Sequence, residues 1–166
     1  LAEGMKYSSP AVKDGVVYIG SGDRMLYALD AVTGGLRWTY EASSMIVADP
    51  VVNHEVVAIT SDDGVLHIVD VDTGNRRLDV ATRATGAPTL KGDRVYVADR
   101  RGILVGVDWH QRILPFEKGI RWIRTQLWAW GMFDAPPLAK GLAWGFVDFD
   151  IDFVGAPVLA YDNIYV

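Results

Sequence analysis

Short apolar runs separated by polar turns dominate the first two thirds of the chain. The run Val16–Ile19 is bounded by the turn residues Asp14-Gly15 and Gly22-Asp23. It is continuous rather than alternating, which indicates a strand buried on both faces. With its neighbours, it predicts four strands at about 9–13, 16–21, 25–30 and 36–41, which are rich in Val, Ile, Tyr and Leu.

This four-strand pattern recurs with a period near 40 residues. A proline after a small or acidic residue marks each start, at Pro10, Pro50 and Pro88, which are 40 and 38 positions apart, and again at Pro136 and Pro157. Four-stranded units at this period are typical of β-propellers, whose blades pack between neighbours. A parallel α/β fold would need helices between strands, and an immunoglobulin-like sandwich does not explain the repeat. We therefore predict an all-β fold, a β-propeller of four-stranded antiparallel blades.

The turn between the third and fourth strands of the first unit carries a motif. It contains Ala28, Asp30, Thr33 and Gly34 and ends at Trp38. The Asp and Thr side chains can bond the backbone of the turn, and the glycine supplies the positive φ of a tight hairpin. The tryptophan lies on the outer strand, where it can pack on the next blade and donate its indole N–H. These residues are predicted to hold blades together.

The second and third units carry partial copies of this motif. The second has Asp70, Thr73 and Gly74, with leucine in place of the tryptophan. The third keeps Asp108, and Trp122 is its candidate docking residue, displaced by an insertion. Over the first 108 residues the chain resembles the quinoprotein-type (PQQ-like) repeat propellers, whose tryptophan-docking repeat has this pattern.

The resemblance implies two functions. Non-catalytic members, such as the periplasmic lipoprotein of the outer-membrane barrel assembly machinery and sensor domains of bacterial kinases, hold partner chains. It thus implies a bacterial, extracytoplasmic protein-binding or scaffolding propeller in a larger assembly. The alternative is a fragment of a PQQ-dependent quinoprotein dehydrogenase. Those enzymes have eight blades, PQQ, Ca²⁺ and often a vicinal disulfide, whereas this chain has no cysteine. We therefore expect no enzyme activity and no PQQ or other cofactor.

The regular blades are predicted to extend over about residues 8–108. The repeat is interrupted after them. Five of the six tryptophans follow, within and beyond an irregular insertion at about 109–134. Insertions in propellers lie in loops on one face. Trp109, Trp128 and Trp130 are therefore candidate partner contacts, although packing between blades is the interpretation that we favour.

The remaining residues, 135–166, are predicted to form incomplete blades of a single, partial propeller domain. Pro137 and Pro157 are only 20 positions apart, half of the period. A half blade would leave backbone amides unpaired. We therefore expect residues to be missing from the sequence near 110–120 and 147–155, where a Cα–Cα distance well beyond ~3.8 Å would mark the break.

The sequence contains few candidate residues for a metal-binding or catalytic site. Asp148, Asp150 and Asp152 would share one face of a strand and form a weak candidate site for Ca²⁺, but a solvated strand edge is the interpretation that we favour. The sequence has no nucleophile elbow and no phosphate-binding loop. The histidines lack metal-binding spacing and are interpreted as structural or surface residues: His54, His67 and His110.

The composition of the chain excludes several classes of partner and of chemistry. The net charge of −5 argues against nucleic acid. The absence of cysteine excludes a disulfide, a thiolate metal site and a cysteine nucleophile. The longest charge-free runs are far shorter than the ~20 apolar residues of a membrane span. The resemblance to PQQ-like repeat propellers implies other protein chains as the expected partners.

Overall fold

A computed structural model gives the structure of the chain and describes residues 8–99, 103–110, 126, 130, 142–147, 158–160 and 163–165. Residues 8–99 contain only strands and turns, without a helix. The strands form three antiparallel four-stranded sheets and one hairpin. The all-β propeller blades predicted from the repeat are confirmed.

The first two blades follow the predicted boundaries closely, and each sheet keeps its strands in chain order. The first blade contains β1 (Ala11–Lys13), β2 (Val16–Gly20), β3 (Met25–Asp30) and β4 (Leu36–Glu41). The second blade contains β5 (Val51–Val52), β6 (Val56–Thr60), β7 (Val65–Asp70) and β8 (Arg76–Ala81).

The third blade contains β9 (Pro88–Lys91), β10 (Arg94–Asp99), β11 (Ile103–Asp108) and β12 (Leu142–Val147). The last two strands, β13 (Val158–Ala160) and β14 (Asn163–Tyr165), pair only with each other. In the first two blades the short turns between strands one and two, and between strands three and four, lie at the same end of the sheet. We call this the motif end, because residues 31–35 and 71–75 lie there.

The position of β12 corrects, for residues 142–147, the expectation that residues 135–166 belong to incomplete blades. This strand pairs with β11 and completes the third blade, so residues 109–141 stand in place of a short turn. The pairing carries a bulge between Gly106 and Val107, as the other blades do at the equivalent position, between Ala28 and Leu29 in the first. The repeat of this bulge identifies β12 as a fourth strand.

The same register gives the third blade a second tryptophan to compare with Trp38. Trp144 pairs with Gly106, as Trp38 pairs with Ala28 in the first blade. Position 144 is therefore equivalent to position 38 in the strand register. Trp122 lies outside the described residues, and its role as the docking residue remains a prediction. The windows predicted to contain chain breaks also lie almost wholly outside the described residues, and those breaks remain predictions.

Two apolar cores lie between the blades. We call the contact of blades one and two the first seam and that of blades two and three the second seam. Every residue of β6 is buried: Val57 and Ile59 point into the first seam, and Val56 and Ala58 into the second. This alternation explains the continuous apolar run in the sequence, because both faces of the strand are covered. In β2, fully and partly buried residues alternate, because the described residues include no blade against its other face.

Candidate functional site

The first motif turn is held by one carboxylate. Asp30 accepts hydrogen bonds from the backbone N–H of Val32 at 3.1 Å and of Thr33 at 2.9 Å, and from the Thr33 hydroxyl at 3.0 Å. Its other oxygen accepts a bond from Arg37 at 2.7 Å. The Arg37 guanidinium and the Thr33 amide hold the pKa of Asp30 well below its usual range. The predicted bonds of Asp30 and Thr33 to their own turn are confirmed.

The second turn repeats this geometry. Asp70 accepts bonds from the amide and hydroxyl of Thr73 at 3.0 and 2.9 Å, and from two nitrogens of Arg77 at 3.0 and 2.7 Å. Burial alone would raise the pKa of Asp70, but these bonds outweigh it and lower the pKa to about 2. Both turns therefore contain a carboxylate that is ionised at neutral pH and whose oxygens accept hydrogen bonds from its own blade.

Trp38 joins the first blade to the second. Its indole Nε1–H donates to the carbonyl of Val71 at 3.0 Å. Its ring lies against Gly74, where an added Cβ would approach ring carbon Cδ2 to 2.8 Å. It also contacts Tyr18, with ring centroids 5.7 Å apart. The ring is half-buried, so the predicted docking contact is present and one part of the indole stays near solvent.

In the second seam the tryptophan comes from the following blade rather than from the preceding one. Leu78 occupies the docking position of the second blade, paired with Ile68. Trp109, which follows Asp108 as Val71 follows Asp70, is only 7% exposed and belongs to the core of this seam. The Arg77 guanidinium lies 5.5 Å from the centroid of its ring, a cation–π arrangement.

Trp109 is therefore a core residue, in agreement with the favoured interpretation of packing between blades, and its candidate role as an exposed partner contact is wrong. Its indole Nε1 is buried without a hydrogen-bond partner among the described residues. Trp130, in contrast, is 70% exposed. Trp128 lies outside the described residues, as do the candidate calcium ligands Asp148, Asp150 and Asp152.

A polar network also crosses the first seam. His67 is 2% exposed, and its Nδ1 lies 2.9 Å from Asp79 and 3.0 Å from the hydroxyl of Tyr40 on the first blade. Its Nε2 lies 3.0 Å from the hydroxyl of Ser61 and 3.2 Å from that of Ser43. Burial and the charge of Asp79 raise the pKa of Tyr40, which stays a neutral hydroxyl. Sequence spacing gave no signal of this network, because its members come from two blades.

Contacts link Ser61 to His67 and His67 to Asp79, as in the Ser–His–Asp triad of a hydrolase. The geometry nevertheless supports a structural role for these residues. Ser61 is 1% exposed, so a substrate carbonyl has no access to its hydroxyl. That hydroxyl also donates to Asp63 at 2.5 Å. We interpret the network as a cross-link between the first two blades, which agrees with the structural role expected for His67.

A pocket of about 140 Å³ opens at the motif end of the first seam. Apolar, aromatic and charged residues of both blades line the pocket: Asp14, Val16, Tyr18, Arg37, Trp38, His54, Val71 and Asp72. Within the described part of the chain, no group of three or more His, Asp or Glu residues is arranged to hold a metal ion. The helices of that part include none that is long and apolar enough to cross a membrane.

Solved structures share this architecture. The structure of BamB from Moraxella catarrhalis matches with a TM-score of 0.66 and 20% identity, over 93% of this chain and 41% of that chain. Quinohemoprotein alcohol dehydrogenase from Comamonas testosteroni matches with a TM-score of 0.55 and 21% identity, over 64% of this chain and 20% of that chain. At these identities the likeness shows the fold alone, and the chain spans less than half of each of these two structures.

The sequence itself gives a more specific match. No curated protein sequence matches the chain significantly. A family model described as outer membrane protein assembly factor BamB matches residues 2–112, which cover all of the first two blades and three strands of the third. The chain therefore belongs to the BamB family of PQQ-like repeat β-propellers.

Proposed function

We propose that the chain is a non-catalytic, protein-binding part of a β-propeller that works in a larger bacterial assembly. One observation carries this proposal: the conspicuous polar residues of the blades bond one another. Asp30 and Asp70 hold their turns, and His67 and Asp79 link two blades. Their chemistry is used in building the blades, so function belongs to the exposed loops and faces.

The family description supports the same conclusion. Assembly factors act by contact with other polypeptides, and exposed apolar side chains lie at the motif end of the described residues. Val32 at the tip of the first motif turn is 92% exposed. Trp130, within the segment that replaces the third motif turn, is the residue that we propose as a partner contact, together with Trp128. The family name also supports a place outside the cytoplasm, at the outer membrane.

Site-specific photocrosslinking in the native host tests this proposal. A photoreactive phenylalanine analogue at position 130 should give a discrete crosslinked adduct with another polypeptide, which mass spectrometry can identify. The same analogue at the exposed position 62, at the opposite end of the blades, serves as the matched control and should give less of that adduct. Failure to crosslink at 130, combined with PQQ- and Ca²⁺-dependent oxidation of an alcohol by the purified protein, would favour the dehydrogenase alternative.

A further inference from the structure

The chain contains two Asp-Gly pairs, Asp14-Gly15 and Asp63-Gly64, and each lies in a turn between two strands and is followed by valine. Such a pair can rearrange, because glycine has no Cβ to shield its backbone nitrogen from the carboxyl carbon of the preceding side chain. The nitrogen must swing towards that carbon, which requires rotation about ψ of the aspartate. The two turns differ in whether they permit this rotation.

The first pair forms the whole loop between β1 and β2, since Lys13 pairs with Val16. The φ angles of Asp14 and Gly15, 49° and 75°, are both positive, which identifies a type I′ turn. Among the described residues, no hydrogen bond joins the Asp14 carbonyl or the Gly15 N–H to another group. A Cβ added at Gly15 would meet no atom within 4 Å. The peptide group between the two residues therefore has room to turn.

A flip of this peptide group gives the reactive geometry. Type I′ and type II′ turns both close a two-residue hairpin, and they differ mainly in the orientation of the central peptide group. In a type II′ turn, ψ of the first loop residue is about −120°, which brings the next nitrogen towards the side chain of that residue. Gly15 can adopt the negative φ that this turn requires. The side chain of Asp14 is 73% exposed, so water reaches it.

The second pair is held in place. The Gly64 N–H donates to the carbonyl of Ser61 at 2.9 Å, so a flip of its peptide group would break a hydrogen bond. A Cβ added at Gly64 would approach Cα of Arg83 to 2.7 Å, which shows how closely the backbones pack there. The Ser61 hydroxyl donates to the Asp63 carboxylate at 2.5 Å. Burial alone would raise the pKa of Asp63, but bonds from Ser61 and Ser43 lower it, and an ionised carboxylate is a poor target for a nucleophile.

We propose that Asp14 is a site of spontaneous isomerisation to isoaspartate and that Asp63 is protected from it. The Gly15 nitrogen bonds to the carbon of the protonated Asp14 carboxyl, and its hydrogen leaves with the carboxyl hydroxyl as one molecule of water. A second molecule of water then opens the five-membered imide. Attack at the side-chain carbonyl restores aspartate, whereas attack at the main-chain carbonyl leaves the chain running through the former side chain. No oxidant or other reactant is needed, and the mass of the protein is unchanged.

The product would alter the motif end of the first blade. Isoaspartate adds one methylene to the main chain of a loop that has only two residues. The Gly15 carbonyl accepts a hydrogen bond from the N–H of Ala31 at 2.9 Å, so this loop supports the first motif turn. Val32, the next residue of that turn, is 92% exposed. Isomerisation therefore displaces the support of an exposed apolar side chain.

Ageing of the full chain at neutral pH, in native buffer and in denaturant, tests the proposal. Endoproteinase Asp-N cleaves before aspartate but not before isoaspartate, so digestion followed by mass spectrometry measures each site. Methylation by an isoaspartyl methyltransferase gives the total independently. In denaturant both sites should convert at similar rates, because both are followed by Gly-Val. In native buffer Asp14 should convert at least about tenfold faster than Asp63, since only the second site must first lose hydrogen bonds.

Two amide variants provide matched controls. Asp14→Asn creates an Asn-Gly pair, which suits the type I′ turn, and cyclisation should release ammonia and give a mixture of aspartate and isoaspartate. Asp63→Asn should keep its amide over the same period in native buffer. Equal conversion of the two sites in native buffer would overturn the inference. So would an Asp14 that stays intact in the folded protein but converts in denaturant, or an Asp14→Asn variant that keeps its amide.

Discussion

The two seams are packed by the same kinds of residue in exchanged positions. In the first seam the indole comes from the outer strand of the preceding blade, at Trp38, and faces Val71. In the second seam the outer strand supplies Leu78, and the indole comes from the following blade, at Trp109, in the place that corresponds to Val71. Each seam thus joins one tryptophan with one aliphatic side chain. What the repeat requires is the filled volume between blades, and either blade can supply it.

The seams differ in polarity at the middle of the sheets. Tyr40 and His67 meet in the first seam with a hydrogen bond of 3.0 Å. At the equivalent positions, the second seam has Val80 and Val105, both buried in its core. At this level of the sheets, the first seam therefore contains directional bonds, whereas the second seam is packed by apolar side chains. Directional bonds fix the relative placement of two blades, whereas apolar contacts tolerate small shifts.

Truncation of the two tryptophans should give the largest effects. Trp109→Ala should lower the free energy of unfolding by about 3–5 kcal/mol, because it empties a buried site. Trp38→Ala should cost about 3 kcal/mol, since the ring is only half-buried but also donates a hydrogen bond. Chemical denaturation measures both values. Trp130→Ala, at an exposed position, is the control and should stay within about 0.5 kcal/mol of the parent. An unchanged denaturation midpoint for Trp109→Ala would contradict its assignment to the core.

Alanine substitutions at two glycines distinguish the stability lost with the Trp38 docking contact from that lost to backbone strain. The losses should be smaller than those of the tryptophan truncations. Gly34 and Gly74 have the same φ of +71°, so alanine at either position meets the same unfavourable backbone conformation. Gly34→Ala meets no neighbouring atom within 4 Å and should cost about 1 kcal/mol. Gly74→Ala should cost about 1–3 kcal/mol more, because its Cβ displaces the Trp38 ring. Equal losses of stability in the two variants would mean that Trp38 does not dock on this turn.

The sequence was sufficient to predict the blades and the motif turns. The period near 40 residues, the Asp-Gly turns and the Asp30–Thr33 motif are local signals, and each led to the strand or hydrogen bond that the structure contains. The assignment of β12 failed because a long insertion separates it from β11, and the proline pair at 136–137 imitates the start of a new blade. The equivalence of positions 144 and 38 in the strand register was therefore not recognised.

The contacts across the seams were less accessible to sequence reasoning. The exposed role considered for Trp109 rested on its place at the start of an insertion, and only the equivalence with Val71 shows that it points into a seam. The His67 network joins residues that are distant in sequence and have no shared spacing. Pairing of blades in space, rather than any local pattern, decides which residues meet there.

The central claim is that a seam needs one indole and accepts it from either blade. A double-mutant cycle in the first seam tests this most directly, with Trp38→Leu and Val71→Trp introduced singly and together. Trp38→Leu should cost about 2 kcal/mol through lost volume, and Val71→Trp about 1–3 kcal/mol through overpacking. The double variant reproduces the arrangement of the second seam, so it should be at least about 1 kcal/mol more stable than the sum of the single losses predicts. Losses that add to within about 0.3–0.5 kcal/mol would contradict the claim that the two positions share one volume.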